Sequence, residues 1–90
     1  MYHVTFAGTI PMFTGTTDWQ SSAESIDILL EEIATQFVEL REGLFSPVQG
    51  KRPGYIKVFA NGDLVSPDVY QSTITEHIQE ITVLVPLAGG

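Results

Sequence analysis

Apolar and polar positions alternate from the start of the chain. Tyr2, Val4 and Phe6 fall on one side and His3, Thr5 and Ala7 on the other, a period of two that predicts a strand over residues 2–7. Gly8, Pro11 and Gly15 then interrupt the pattern, and residues 16–20 make a short second strand. Pro11 belongs between the two or on an edge, where its missing N–H does no harm. The period changes after residues 21–25, a serine-rich helix start. Ser21 and Glu24 have capping-box spacing, with Ser22 or Ser25 equally able to be the N-cap. Ile26, Leu29, Leu30, Ile33, Phe37 and Leu40 recur at three and four residues, one apolar stripe over about four helical turns. Gly43 is the natural stop.

Residues 45–54 form a Pro- and Gly-rich loop carrying Lys51 and Arg52. Residues 55–60 read as a strand, and Asn61-Gly62 after them is the strongest short hairpin signal. The return strand starts at Asp63-Leu64-Val65 and stops at Ser66-Pro67-Asp68. Residues 69–79 are expected to be irregular or to hold a short helical turn. Residues 81–85 are apolar at nearly every position, which suits a central strand covered on both faces, or one covered on one face and used for contacts on the other. One amphipathic helix must bury its stripe, and a sheet with one apolar face is the natural cover. The expectation is an α+β fold, a ubiquitin-like β-grasp with a mixed four- to five-stranded sheet packed on one long helix. Residues 1–85 would be the domain and 86–90 a flexible tail.

The chain has 90 residues and no cysteine, and it carries a net charge of −7 from eleven acidic and four basic residues. Without cysteine it has neither disulfides nor a thiol nucleophile. Four basic residues make a poor nucleic-acid surface, so partners with basic surfaces are expected instead. No leader pattern opens the chain and no run of 18 apolar residues occurs, so a cytoplasmic location with no membrane span is expected.

Catalytic and metal signals are weak. His3 and His77 have no spaced ligands around them and read as surface or half-buried residues rather than a metal site. The adjacent Glu31 and Glu32 point to different sides of a helix and read as a solvated face. No serine has nucleophile-elbow spacing, Trp19 reads as packing, and Lys51 and Arg52 as loop charge. On the strand of residues 55–60, Ile56, Val58 and Ala60 share one face, while Tyr55, Lys57 and Phe59 share the other. With the first set against the helix, Tyr55 and Phe59 point outward near Leu84, either as a docking cluster or as a small second core under the loop.

The sequence ends Pro86-Leu87-Ala88-Gly89-Gly90. Pro86 stops the strand ladder. Two glycines make a thin segment able to enter a narrow channel with no Cβ beside the terminal carboxylate. This ending, in register with the Asn61-Gly62 hairpin and the Ile81-Thr82-Val83-Leu84-Val85 strand, resembles the MoaD/ThiS family of sulfur carriers. The helix, Glu42-Gly43-Leu44 and the loop with Gly50-Lys51 look most like its cysteine-biosynthesis branch. One departure is Glu76-His77-Ile78-Gln79-Glu80, where family members usually carry an Asp-Gly-Asp turn.

The resemblance implies a carrier with no catalytic residue, metal or cofactor of its own. An E1-like partner would use ATP to adenylate the Gly90 carboxylate. A sulfur donor, a sulfurtransferase or a cysteine desulfurase, would convert it to a thiocarboxylate for a sulfur-accepting synthase making cysteine, thiamine, molybdopterin or a related product. Pro86, Leu87, Ala88 and Gly89 would lie in the partner's channel, with Tyr55, Phe59 and Leu84 as the docking surface. Two rival readings are a ubiquitin-like modifier joined through Gly90 to target lysines, and a non-covalent β-grasp assembly module such as a phage tail protein.

Overall fold

The computed structural model describes residues 1–43 and 55–86. The Lys51–Arg52 loop and the last four residues lie outside them. The chain forms β1 (Tyr2–Gly8), a short helix α1 (Pro11–Thr14), β2 (Asp18–Ser21), α2 (Ile26–Gln36), α3 (Val38–Gly43), β3 (Lys57–Ala60), β4 (Asp63–Leu64), a 3₁₀ turn (Pro67–Val69) and β5 (Glu80–Val85). The five strands make one sheet in the order β2-β1-β5-β3-β4, with β1 and β5 parallel and every other pair antiparallel. β5 therefore takes the central place expected from its two apolar faces.

The helices cover one face of this sheet. Tyr2, Val4 and Phe6 of β1, Ile56 and Val58 at β3, and Ile81, Val83 and Val85 of β5 are buried with Ile26, Leu29, Leu30, Ile33 and Leu40 in one core. Fully burying a large aliphatic side chain is worth about 1.5–3 kcal/mol, so this cluster is the main source of stability. No helix among the described residues is long and apolar enough to cross a membrane.

The predicted helix differs in two respects. Its N-cap is Ser25, whose Oγ accepts the Ile28 N–H at 3.1 Å. Ser21 instead sits buried in β2, accepting the Ala23 N–H, so Ser21 and Glu24 form no capping box. The stripe also does not run on as one helix. Phe37 leaves helical geometry at φ −119°, ψ 86° and separates α2 from α3. Its ring packs edge-on against Phe6 at 6.2 Å and Trp19 at 5.3 Å. Turning there serves both that aromatic cluster and the burial of Leu40, and no glycine or proline at the site announces it.

Smaller differences occur at turns. Pro11, expected between the first two strands or on an edge, does lie between them, where it begins the unpredicted helix α1, a position where its missing N–H matters least. The strand predicted over 55–60 is regular only from Lys57. Glu32, read as solvated, is half-buried and accepts the Trp19 Nε1–H at 3.3 Å.

Candidate functional site

Pairing in the sheet decides what lies on the face away from the helices. Lys57 pairs with Leu84, and Phe59 pairs with Thr82 on one side and Leu64 on the other. Ala7 pairs with Leu84 across the parallel junction. Directly paired residues share a face, so Ala7, Leu84, Phe59 and Leu64 form an apolar band across four strands, with Lys57 beside it. Leu64 is 63% exposed, and Tyr55, just before β3, is 44% exposed. Phe59 and Leu84 are half-buried.

The rest of this face is polar. His3 Nε2 lies 2.8 Å from Asp18 Oδ1, and the Thr5 hydroxyl donates to Glu80 Oε1 at 3.2 Å. Gln20 pairs with His3 at the β2 edge. The apolar band thus runs obliquely, from Ala7 and Leu84 beside the exit of the chain from β5, where Lys57 also lies, to Phe59 and Leu64 next to the Asn61-Gly62 hairpin, and the polar cluster takes the remaining corner. Among the described residues, no three potential metal ligands converge.

The tail root is defined up to Pro86. Val85 is buried at the end of β5, and Pro86 beyond it is exposed. The carbonyl of Val85 accepts the Thr9 N–H at 2.8 Å, with the Thr9 hydroxyl at 3.4 Å. Among the sequence candidates, Phe59 and Leu84 are brought to one face and Pro86 to its end, with exposed Tyr55 leading into β3. Leu87, Ala88, Gly89 and Gly90 fall outside the described residues.

Sequence reasoning missed Leu64. The two-residue Asn61-Gly62 loop dictates that Ala60 faces Asp63 and Phe59 faces Leu64, so counting outward from that turn would have found it. It also missed what Asn61 does. Asn61 adopts φ +49° and its N–H donates to the Glu80 carbonyl at 2.8 Å. Its Oδ1 accepts from Gln79 N at 3.0 Å and Glu80 N at 3.1 Å, and its Nδ2 donates to the His77 carbonyl at 3.1 Å. The hairpin residue therefore anchors the crossover segment that leads into β5.

No protein-family model matches the sequence, and no curated protein is recognisably similar to it. Solved structures are similar over the whole chain. The solution structure of small archaeal modifier protein 1 (SAMP1) from Methanosarcina acetivorans aligns with a TM-score of 0.77 at 20% identity, covering 99% of this chain and 95% of that one. The crystal structure of SAMP1 from Haloferax volcanii gives 0.72 at 15% identity over 99% and 98%. A chain of the Amycolatopsis orientalis BexX/CysO complex gives 0.74 at 16% identity over 100% of both. These likenesses establish the ubiquitin-like β-grasp, an α+β fold.

Proposed function

We propose that this chain is a sulfur carrier of the MoaD/ThiS type, a protein substrate rather than an enzyme, working through the Gly90 carboxylate. The observation that carries the reading is the placement of β5. This central strand, buried at alternate positions, leads to an exposed Pro86 beside Leu84 of the apolar band, and the sequence continues from there as Leu87-Ala88-Gly89-Gly90. A body that docks by that face and presents a slim end beside it suits a partner that must reach a carboxylate.

The chemistry follows from the poor electrophilicity of a carboxylate. In the E1-like partner, a Gly90 carboxylate oxygen attacks the α-phosphorus of ATP, and pyrophosphate leaves with the electrons of the broken P–O bond. The terminal sulfur of a donor's persulfide then attacks the acyl carbon, and AMP leaves. A second thiol reduces the resulting acyl disulfide to the thiocarboxylate, which donates sulfur to the accepting synthase. The tail supplies clearance: at Gly89 and Gly90 no Cβ stands between the acyl carbon and the enzyme groups around it. Phe59, Leu84, Leu64 and Tyr55 supply apolar contact for docking. The acidic body favours encounter with a basic channel entrance.

A second reading has its own support, since two of the structural neighbours are named modifier proteins. In that reading a target lysine, not a sulfur donor, displaces AMP and an isopeptide bond forms at Gly90. Intact-mass measurement of the protein from its source separates the two. A species heavier by one sulfur-for-oxygen exchange at Gly90 is expected for the carrier, and lysine-linked adducts for the modifier. A chain that carries neither, or that works unchanged with residues appended after Gly90, refutes both.

A further inference from the structure

The carbonyl of Val85 is the last acceptor of the central strand, and the turn following β1 holds it. In the parallel ladder Gly8 stands opposite Val85. The next residue, Thr9, donates its N–H to the Val85 carbonyl at 2.8 Å and places its hydroxyl 3.4 Å away. Pro86 has no N–H with which to extend the ladder, so among the described residues this contact is the last backbone hydrogen bond of β5.

Gly8 makes the contact possible in two ways. Its φ of +68° lies in the left-handed region, which L side chains rarely adopt. A Cβ there would overlap the Val85 carbonyl oxygen and stand 2.7 Å from the carbonyl carbon. Gly15 at the other end of the same turn offers a contrast. Its φ is +74°, yet a Cβ there would meet nothing within 4 Å. The left-handed backbone is common to both glycines, and the close approach to the tail root belongs to Gly8 alone.

We infer that Gly8 and Thr9 are positioning residues for the C-terminal tail, fixing the Val85 carbonyl and with it the direction in which Pro86 leaves the sheet. The inference rests on the carrier reading. Five residues span at most about 17 Å when extended. A 10° change of direction at the root therefore moves the far end of an extended tail by about 3 Å, by simple leverage on that length. Misplacement of a reacting group by about 1 Å can lower a rate on the order of 100-fold. Docking of the body by the outer sheet face leaves the exit direction to decide whether the carboxylate meets ATP.

The test compares Gly8→Ala with Gly15→Ala in the full chain, using ATP–pyrophosphate exchange by the E1-like enzyme of the same organism. Both variants carry the left-handed backbone penalty, and circular dichroism establishes that each is folded at the assay temperature. Gly8→Ala is expected to lower kcat about 10- to 100-fold relative to Gly15→Ala, with the half-saturating concentration within about twofold, as for loss of an interaction made only in the transition state. A kcat equal to that of Gly15→Ala overturns the inference. So does a raised half-saturating concentration at unchanged kcat, which would make the turn a docking element.

If Gly8→Ala does not fold, an amide-to-ester exchange at the Thr9 nitrogen in the synthetic chain removes the donor to Val85 without added bulk. It is expected to lower kcat several-fold, and an unchanged kcat overturns the inference. Absence of exchange with the unaltered protein defeats the carrier reading itself, a result distinct from exchange that is indifferent to Gly8.

Discussion

The two ends of the sheet are closed in opposite ways. At the hairpin end, polar groups find partners within the fold. Asn61 holds Gln79, Glu80 and His77, the Tyr2 hydroxyl donates to the Ala23 carbonyl at 3.0 Å, Ile74 N donates to Glu24 O at 2.7 Å, and Asp27 N to Tyr70 O at 2.8 Å. At the tail end Thr9 grips the Val85 carbonyl, and several exposed side chains of the neighbouring elements are apolar, with Lys57 among them. Met12 in α1 is 77% exposed and Phe13 39%, with Tyr55 nearby in the approach to β3. One end ties the crossover to the sheet, and the other leaves contact surface around an outgoing chain. On the carrier reading, stability and partner recognition would reside in different residues and could be damaged separately.

The sharpest break between the ends is expected from Gly90→Ala. It adds a methyl group where clearance is least and should reduce adenylation on the order of 100-fold or more, with the melting temperature unchanged. Wild-type adenylation by this variant would remove the case for a slim tail. Next in size is Asn61→Ala, which deletes the side-chain bonds to the crossover and puts alanine at a left-handed position. A loss of about 1–3 kcal/mol in denaturant unfolding is expected, with the adenylation rate of the folded protein intact. Equal damage to both would mean that the ends are coupled.

Leu64→Ser should do the converse at a smaller scale. Stability is expected to stay within about 0.5 kcal/mol, while binding to the activating enzyme, followed by calorimetry, weakens about tenfold.

The mildest effect concerns pH. Burial raises the Tyr2 phenol above its ordinary value near 10, Glu32 adds to the rise, and the Ser21 hydrogen bond opposes it. Burial raises Tyr70 likewise. A group whose folded-state pKa is raised contributes its stability fully below the unfolded value, and the contribution is lost as pH climbs through the folded one. Urea stability should therefore be insensitive to these two groups at neutral pH and begin to fall above about pH 10. Hydrogen exchange should show the region around Tyr2 and Tyr70 loosening first. Earlier loss at the Gly8–Val85 junction would contradict that order.

Much of the architecture was legible because local chemistry and tertiary packing agree. Alternation in β1, the Asn61-Gly62 turn and the apolar run of β5 each have one economical reading, and together they imply a sheet with a central last strand. The helix stripe was legible in position and not in continuity. Phe37 has the right spacing for one long helix, and only the aromatic partners Phe6 and Trp19, distant in sequence, give it reason to turn. Ser25 and Ser21 were indistinguishable as caps until the end of β2 took Ser21 into the sheet. At the candidate site, Phe59 and Leu84 could be assigned to one face by parity, and Leu64 needed only the register of the hairpin.

By itself the sequence determined composition, periodicity and the slim Pro-Leu-Ala-Gly-Gly ending, because these depend on side-chain type and spacing alone. The tertiary structure decided that Gly8 lies against Val85 and that Asn61 anchors the crossover. Those contacts join positions 77 and 16–19 residues apart, and pairing across such distances is fixed by sheet order and register, which no local pattern encodes.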